Sequence, residues 1–267
     1  MAFNVETPGR ILPRISVVTV VRNAESVVEA TIASVLEQTY PEIEYVVVDG
    51  ASTDKTFEIV QRHADKIDVM VSERDTGIYD AMNKAAKLAT GDFIIYMNAG
   101  DRFFDARAVE EFVGAMAGDA VIYYSGWVVE YPWGHTKASR PKPASALRHG
   151  MIVQHQSVLV QSHYMRTHPF DPIHGNGADF ALLAEAVSSG TPVMEVPGYL
   201  SIVSTGGVSD TQRIPTTMSH WRTARQFFPG FGTDARYAME IANQFFRIAL
   251  KRVLPKRLVE IISERRA

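Results

Sequence analysis

A run of valines that ends in an aspartate constrains this chain more than any other feature. Residues 46–54 read VVVDGASTD, so an apolar run stops at Asp49 and a polar turn follows. An uninterrupted valine run is typical of a strand buried on both faces of a parallel sheet. Ligands of open α/β sheets bind just beyond the carboxyl ends of such strands, where Asp49 would lie. The turn could also serve only to cap a helix, because Ser52, Thr53 and Asp54 are good N-cap residues.

The first hundred residues alternate between strand patterns and helix patterns. Short apolar runs predict strands over residues 15–21, 43–48, 67–71 and 93–97. Apolar residues at helical spacing predict the helices between them, over residues 25–38, 54–63 and 79–89. This alternation predicts an α/β fold with a parallel sheet and right-handed crossovers.

Beyond residue 101 the pattern is less regular. It predicts a helix over 105–116, strands over 121–124 and 127–131 with a Pro-Trp-Gly loop after them, a loop over 138–147, a helix over 178–188, and one or two strands within 193–203. From about Pro215 the chain has a helical pattern.

The composition limits the classes of protein and of site that the chain can form. Its 267 residues, 46% of them hydrophobic, allow one large α/β domain with at most a small appendage. A net charge of −3 gives no reason to expect a nucleic acid partner, and the absence of cysteine excludes disulfides and thiolate metal sites. The start of the chain lacks the apolar core of a signal peptide, and no apolar run approaches the roughly 18 residues that cross a bilayer. We therefore expect a cytoplasmic protein.

Four polar segments follow the four predicted strands of the first half in order. Because the carboxyl ends of parallel strands meet at one edge of a sheet, these segments predict a single site there. They are residues 19–25 (TVVRNAE), 49–54 (DGASTD), 72–84 (SERDTGIYDAMNK) and 98–101 (NAGD).

In this order the four segments resemble the nucleotide-sugar-binding half of family 2 glycosyltransferases with a GT-A fold. The GIYDAMNKA and NAGD stretches are particularly similar to bacterial enzymes that build exopolysaccharides, such as colanic-acid-type transferases, and glycolipids. The resemblance implies a Rossmann-like, mainly parallel sheet flanked by helices. It implies a catalytic domain over residues 13–210, with a nucleotide-sugar-binding half (13–101) and an acceptor half (102–210). A helical C-terminal extension over residues 211–267 would follow.

The resemblance also implies which residues bind the donor. Asp49 would bond the nucleobase, with Ser52 beside it. The nucleotide pocket would be lined by Thr19, Asn23 and Glu25, and the ribose and diphosphate would be flanked by Asp75, Gly77, Asn83 and Lys84. A surface lysine of a helix is also commonly just solvated, so Lys84 has a second interpretation.

The NAGD segment stands where the family has its acidic metal motif. The resemblance implies that Asn98 bonds a ribose hydroxyl and that Asp101 holds a divalent cation, Mn²⁺ or Mg²⁺, which favours carboxylate and phosphate oxygens. Asn98 and Gly100 replace acids that often occur there, so Asp101 is the only acid inside the motif. The alternative is that Asp101 caps the helix predicted over 105–116.

Two later features concern the acceptor. The resemblance places the catalytic base of an inverting transferase at Asp179. Such a reaction needs a carboxylate that takes a proton from the attacking hydroxyl. Asp179 also fits the N-cap of the helix predicted over 178–188, a structural role that does not exclude catalysis. His155 is a second catalytic candidate, although many histidines of this kind are only interior side chains with satisfied hydrogen bonds. Residues 205–209 (TGGVS) have the glycines of a mobile lid, or form an ordinary loop.

The last 21 residues combine basic and aliphatic side chains. Residues 247–267 hold seven Lys and Arg against two Glu, with aliphatics between them. This composition fits a helix that lies on an anionic membrane surface, and it also fits a solvated face on a packed helix. Peripheral association with the inner face of the cell membrane would suit a lipid-linked acceptor.

Together these features predict an inverting glycosyltransferase of bacterial polysaccharide or glycolipid biosynthesis. Its donor would be a nucleoside diphosphate sugar, a UDP- or GDP-sugar, and its acceptor a saccharide or a polyprenyl-linked sugar. The alternative is a catalytically silent subunit that binds nucleotide sugars on the same fold, which the depleted metal motif favours. The sequence leaves the donor sugar, the acceptor and any homo-oligomer open.

Overall fold

In the computed structural model, which describes residues 12–207 and 211–253, the strands form one nine-stranded sheet. The strands are β1 (Ile15–Val21), β2 (Ile43–Asp49), β3 (Val69–Ser72), β4 (Phe93–Tyr96), β5 (Arg102–Phe103), β6 (Ile122–Glu130), β7 (Thr136–Ser139), β8 (Val158–Gln161) and β9 (Val193–Ser204).

The sheet has a parallel half and a mixed half. Its order is β3-β2-β1-β4-β8-β6-β9-β5, with β7 paired to β6 outside this path. The first four strands are all parallel, as the strand–helix alternation predicts. Beyond β4 the pairs β4–β8, β6–β8, β5–β9 and β6–β7 are antiparallel, whereas β6 and β9 run parallel. The predicted α/β architecture is confirmed.

The helices cover both faces of this sheet. They are α1 (Val28–Leu36), α2 (Thr56–Gln61), α3 (Ile78–Leu88), α4 (Ala108–Ala115), α5 (Ser162–Thr167), α6 (Ala178–Ser188), α7 (Arg213–Phe227) and α8 (Phe231–Val253). Alternate residues of β1 point into opposite layers, because side chains of a strand alternate between faces. Val18 packs in the layer of α3 and α6, and Val17 in the layer of α1 and α4.

Several predicted boundaries differ from the structure. The segments predicted as strands at 121–124 and 127–131 form the single strand β6, whose pairing with β9 shifts register around Gly126. The loop predicted over 138–147 begins later, because β7 extends to Ser139. The short strands β5 and β8 were not predicted, since two to four residues carry too little periodicity to indicate a strand.

Two long helices follow the sheet. Helix α7 packs against α6, and α8 packs against α7. Trp221 Nε1 in α7 donates a 2.7 Å hydrogen bond to Asp234 of α8, and the Arg225 guanidinium lies 3.2 Å from the same carboxylate. Pro215 is tolerated because it lies in the first turn of α7, where the backbone N–H has no helical partner. The structure therefore has helices where the C-terminal extension is predicted, up to residue 253.

No helix of the described segments, 12–207 and 211–253, combines the length and the apolar character needed to span a bilayer. Most of the basic segment 247–267 lies outside these residues.

A buried carboxylate joins three segments at the edge of the sheet where the parallel strands β1 and β2 begin. Glu44 in β2 is only 2% exposed. It accepts hydrogen bonds from the Ser16 hydroxyl, from the Thr90 N–H (2.7 Å) and from the Gly91 N–H (3.2 Å). The Arg14 guanidinium lies 3.8 Å away. Burial alone would raise the pKa of Glu44, but these hydrogen bonds together lower it below its ordinary value.

We expect Glu44→Gln to lower the free energy of unfolding by about 1–3 kcal/mol near neutral pH, because the amide leaves buried donors without an acceptor. The pKa of Glu44 is lower in the folded chain than its unfolded value of 4.5. Its contribution is therefore complete above 4.5 and is lost as the pH falls toward the folded pKa. Urea unfolding near pH 7 and in acid should show a mutant effect that shrinks in acid.

Glu58→Gln provides the matched control. Glu58 pairs with Arg62 one helical turn away, and both side chains are exposed, so this change should cost less than about 0.5 kcal/mol. A Glu44→Gln effect that is equally small, or that does not change with pH, contradicts the prediction.

Candidate active site

The loops after β1 and β2 are joined by reciprocal hydrogen bonds. The Asn23 amide oxygen accepts the Thr53 N–H at 2.9 Å, and the Asn23 N–H donates to the Ser52 hydroxyl at 2.9 Å. The Glu25 carboxylate accepts the Lys55 N–H at 2.9 Å. Asn23, Glu25 and Ser52 therefore lie together at the carboxyl edge of the sheet, where the sequence predicts a nucleotide pocket.

Two predicted donor-binding residues are fully buried. Asp49 has no exposed surface, and its carboxylate accepts the Ser52 N–H (3.0 Å), the Ser52 hydroxyl and the Ser72 hydroxyl (2.6 Å). Thr19 is also fully buried, and its hydroxyl donates to the Met97 carbonyl at 2.8 Å. Asp49 thus anchors the polar turn, and the Thr19 side chain does not reach the surface of a pocket.

Asp75 lies directly over Gly50 at the end of β2. A Cβ atom at residue 50 would clash with Asp75 Oδ2, so the carboxylate fills the space that a side chain at 50 would need. Asp75 Oδ1 accepts the Gly77 N–H at 2.9 Å. Because Asp75 is only partly buried, its carboxylate is more accessible than that of Asp49.

Helix α3 uses its polar side chains to hold neighbouring segments. The Asn83 amide donates to the Phe170 carbonyl (2.8 Å) and accepts the Phe170 N–H (2.9 Å), so both ends of the side chain are occupied. Lys84 donates to the Arg74 carbonyl at 2.7 Å and pairs with Glu73 at 2.9 Å. The hydrogen bond to Glu73 is the main reason that the pKa of Lys84 is raised. Lys84 is therefore ion-paired, and Asn83 is directed at the backbone of residue 170.

A cavity of about 830 Å³ opens between the ends of β4, β6 and β9 and the start of α6. It brings together four predicted site residues from three distant segments, namely Asn98, Asp101, His155 and Asp179. Aromatic and amide side chains also line it, among them Tyr79, Tyr131, Trp133 and Gln156.

Asp101 lies in this cavity with two neutral hydrogen-bond donors. Its Oδ2 accepts the Gln156 amide N–H at 2.6 Å, and its Oδ1 accepts the Ser204 N–H at 3.3 Å. Burial raises the pKa of Asp101 above its ordinary value, although these bonds oppose the effect. Helix α4 begins at Ala108, so Asp101 does not cap it.

The same corner offers further oxygen atoms to a cation. Among the described residues, the side-chain oxygens of Asn98 and Gln156 are buried and accept no hydrogen bond. No group of three or more His, Cys, Asp or Glu within 12–207 and 211–253 could hold a metal by itself. One carboxylate and two amide oxygens fit Mg²⁺ or Mn²⁺ that arrives with phosphate oxygens, since such ions take hard ligands and few protein carboxylates.

The carboxylate of Asp179 lies between Tyr79 and His155 in the cavity. Its Oδ1 accepts the Tyr79 hydroxyl at 3.1 Å, and its Oδ2 lies 3.7 Å from His155 Nδ1. The Asn98 amide donates to His155 Nε2 at 3.0 Å, so in neutral His155 the proton is on Nδ1, facing Asp179. Burial and the charge of Asp179 raise the pKa of Tyr79, which keeps this phenol protonated as a donor. The N-cap of α6 is Gly177, so Asp179 does not serve as the cap.

Helix α7 adds a residue that the sequence analysis missed. The His220 ring lies 4.6 Å from the Phe180 ring, and a Cβ atom on Gly177 would be 2.8 Å from its Cδ2. Burial lowers the pKa of His220, and the charge of Asp179 opposes this shift. A neutral histidine thus packs behind the first turn of α6. Nothing in the local pattern of α7 indicates this contact.

The segment proposed as a lid is described only in part. Thr205, Gly206 and Gly207 line the cavity, whereas residues 208–210 lie outside the described residues.

Comparison with known proteins identifies the family of the chain. The family model described as "Glycosyl transferase family 2" matches residues 16–176, which is more than half of the chain. The chain belongs to this family. The family resemblance that the four polar segments indicate is therefore confirmed.

The chain is similar to bacterial glycosyltransferases whose names refer to the biosynthesis of particular products. The chain is 33% identical over 117 residues to a PGL/p-HBAD biosynthesis glycosyltransferase of Mycobacterium bovis, covering 42% of this chain and 46% of that protein. It is 30% identical over 118 residues to TuaG of Bacillus subtilis, a glycosyltransferase named for teichuronic acid biosynthesis, covering 43% and 47%. The chain thus spans about half the length of these relatives.

The fold is that of GT-A glycosyltransferases. The mannosyltransferase PcManGT of Pyrobaculum calidifontis, solved with GDP-Man and Mn²⁺, superposes with a TM-score of 0.65. The superposition covers 95% of this chain and 79% of that protein at 20% sequence identity, so it supports the fold alone.

Proposed function

We propose that this protein is an inverting glycosyltransferase that moves a sugar from a nucleoside diphosphate donor to an acceptor hydroxyl. One observation carries the proposal. The carboxylate of Asp179 and the oxygen-rich corner around Asp101 line one cavity at the carboxyl edge of the sheet. A base for the acceptor and a binding corner for a charged leaving group are the two groups that such a transfer needs.

Asp179 takes the role of general base in this proposal. As the acceptor oxygen attacks the anomeric carbon, the bond from that carbon to the diphosphate breaks, and the hydroxyl proton passes to Asp179. Tyr79 and the Nδ1–H of His155 orient the carboxylate. His155 therefore acts as a positioning residue, since its other nitrogen is bonded to Asn98.

The donor diphosphate would bind beside Asp101, Asn98 and Gln156. A divalent cation there would neutralise the charge that develops on the departing diphosphate. The solved mannosyltransferase that shares this fold holds GDP-Man together with Mn²⁺, which supports a cation-dependent donor. The nucleoside would lie toward the loops after β1 and β2, where Asp75 over Gly50 presents a partly accessible carboxylate.

We predict that binding of UDP or GDP depends on Mn²⁺ and on Asp101. Calorimetry of the two nucleotides with Mn²⁺, and with excess chelator, measures the first dependence. Asp101→Asn should weaken the Mn²⁺-dependent part of binding at least about tenfold, because a carboxylate ligand is replaced by a neutral amide. Asp65→Asn, at an exposed turn away from the cavity, should leave the affinity unchanged.

Equal nucleotide affinity in chelator and in Mn²⁺ would overturn the cation assignment. Binding of a nucleotide sugar with no turnover of any UDP- or GDP-sugar would instead indicate a silent binding subunit.

The second prediction concerns Asp179→Asn, which removes the base but nearly keeps its shape. Transfer should fall by about 10²–10⁴, the usual loss for a general base, while UDP or GDP affinity stays within a few-fold. A screen of UDP- and GDP-sugars for sugar transfer and nucleotide release provides the assay. Asp65→Asn again serves as control. Transfer that persists within a few-fold of wild type would assign the base to another residue, His155 first.

For the acceptor we propose a saccharide or a polyprenyl-linked sugar at the cytoplasmic face of the membrane. The names of the two relatives, one for PGL/p-HBAD biosynthesis and one for teichuronic acid biosynthesis, support an acceptor of bacterial glycan biosynthesis. Helix α8 also exposes apolar residues next to the basic tail, with Phe245 56% and Phe246 65% exposed. Exposed apolar and basic side chains together favour an anionic lipid surface.

We therefore predict salt-sensitive binding to anionic vesicles. Each Lys or Arg near the surface contributes about 1 kcal/mol, so raising the salt should release the protein. Deletion after Gln244 should abolish co-sedimentation but leave UDP or GDP affinity intact. Intact protein that stays in the supernatant at low salt rejects the membrane proposal. A change from dimer to monomer on deletion would instead assign the tail to contacts with a second copy.

A further inference from the structure

The hairpin between β6 and β7 ends in a rigid pair of aromatic rings. Tyr131 and Trp133 are stacked, with centroids 5.1 Å apart and planes at 22°. The turn is closed by hydrogen bonds from Gly134 N–H to the Tyr131 carbonyl and from Tyr131 N–H to the His135 carbonyl, both 2.9 Å. Gly134 adopts a φ of 79°, which favours glycine, and proline precedes Trp133, which restricts the turn further. The backbone that carries the two rings is thus restrained by the turn itself.

Trp133 is the most exposed aromatic ring that lines the cavity. Trp133 is 59% exposed, although burying the large apolar ring of a tryptophan would be favourable. Tyr131 stacks on one of its faces, and both rings belong to residues that line the cavity. An exposed ring that is fixed beside a polar cavity indicates a ligand surface rather than a packing element.

The position of β6 in the sheet places Tyr131 and Trp133 on the acceptor side of the cavity. Strand β6 is two strands beyond β4 in the order β4-β8-β6-β9, whereas the nucleotide loops follow β1 and β2 on the other side of β4. The carboxyl ends of β6 and β9 lie together, since Glu130 pairs with Ser204 in parallel register. Trp133 therefore shares the cavity with Asp179 and is separated from the nucleotide loops by β4 and β8.

We propose that Tyr131 and Trp133 form a stacking platform for a pyranose ring of the acceptor. The proposal rests on the proposed function and adds a binding subsite to it. A pyranose has an apolar C–H face that packs on a flat ring, and hydroxyls at its edge that need polar partners. The cavity supplies both, because Asn176, Gln154 and Asp179 line it together with the two rings. An acyl chain would leave these polar groups without partners.

The first experiment locates the ligand. The full chain has three tryptophans, so 5-fluorotryptophan labelling gives three ¹⁹F resonances, and Trp133→Phe identifies that of Trp133. Methyl pyranosides of glucose, galactose and mannose are titrated with UDP or GDP and Mn²⁺ present. We expect a saturable shift of the Trp133 resonance with at least one pyranoside. No saturable shift with any of the three, or the same shift with free nucleosides or with hexyl phosphate, would overturn the proposal.

The second experiment separates ring stacking from general apolar contact. Trp133→Phe keeps a flat ring, whereas Trp133→Leu keeps apolar area without one. Ligand-observed saturation-transfer titration with the best pyranoside should show near wild-type affinity for Phe and a loss of roughly 2- to 10-fold for Leu, the range of an aromatic stacking contribution. Equal affinity of the Leu and Phe variants would overturn the stacking role.

The controls separate this proposal from the proposed function. Phe104→Leu removes another exposed ring, which lies 5.6 Å from Tyr199 outside the cavity lining, and should leave pyranoside affinity unchanged. Affinity for UDP or GDP should be the same in Trp133→Leu and wild type. If nucleotides bind but pyranosides do not shift the ¹⁹F resonance of Trp133, only the stacking platform is wrong. If the wild-type protein binds no nucleotide, the proposed function is wrong.

Discussion

Every residue of β1 is buried, and this burial determines where the polar chemistry of the molecule can lie. The strand has hydrogen-bonded neighbours on both sides and apolar layers on both faces, so an unpaired polar group along it would be costly. Polar side chains that bind a ligand must therefore collect where β1, β2 and β4 end. The parallel order of these strands brings the three ends to one edge, where the loops and the cavity are found.

Two carboxylates line this cavity in different surroundings, which suits them to different roles. Asp101 has two neutral donors and a buried position that raises its pKa, so a cation would be a favourable partner. Asp179 lies between a phenol that donates a hydrogen bond to it and an imidazole nitrogen 3.7 Å away, and both orient the carboxylate. Different environments of two acids in one site are a common way to divide chemical roles.

Much of the polar sequence at this edge supports the site instead of contacting a ligand. Asp49 is saturated by Ser52 and Ser72, and Asn83 is bonded at both ends to the backbone of Phe170. These bonds fix the turn after β2 and the segment before α6. Such support has a physical purpose, because residues that contact a substrate are effective only when their neighbours hold them in place. A polar residue type at a strand end therefore does not by itself distinguish a ligand contact from a support.

Local patterns in the sequence determined β1 and α6 to the residue, and they determined that four polar segments follow strands in order. These features depend on periodicity within about 15 residues, which a single sequence displays. Only the tertiary structure decided that Asp49 and Asn83 bond inward, that β8 and β5 complete the sheet, and that His220 packs behind α6. It also decided that the Pro-Trp-Gly loop reaches the cavity of Asp179. Each of these depends on contacts between segments far apart in the chain, where side-chain direction follows from packing and register and not from local spacing.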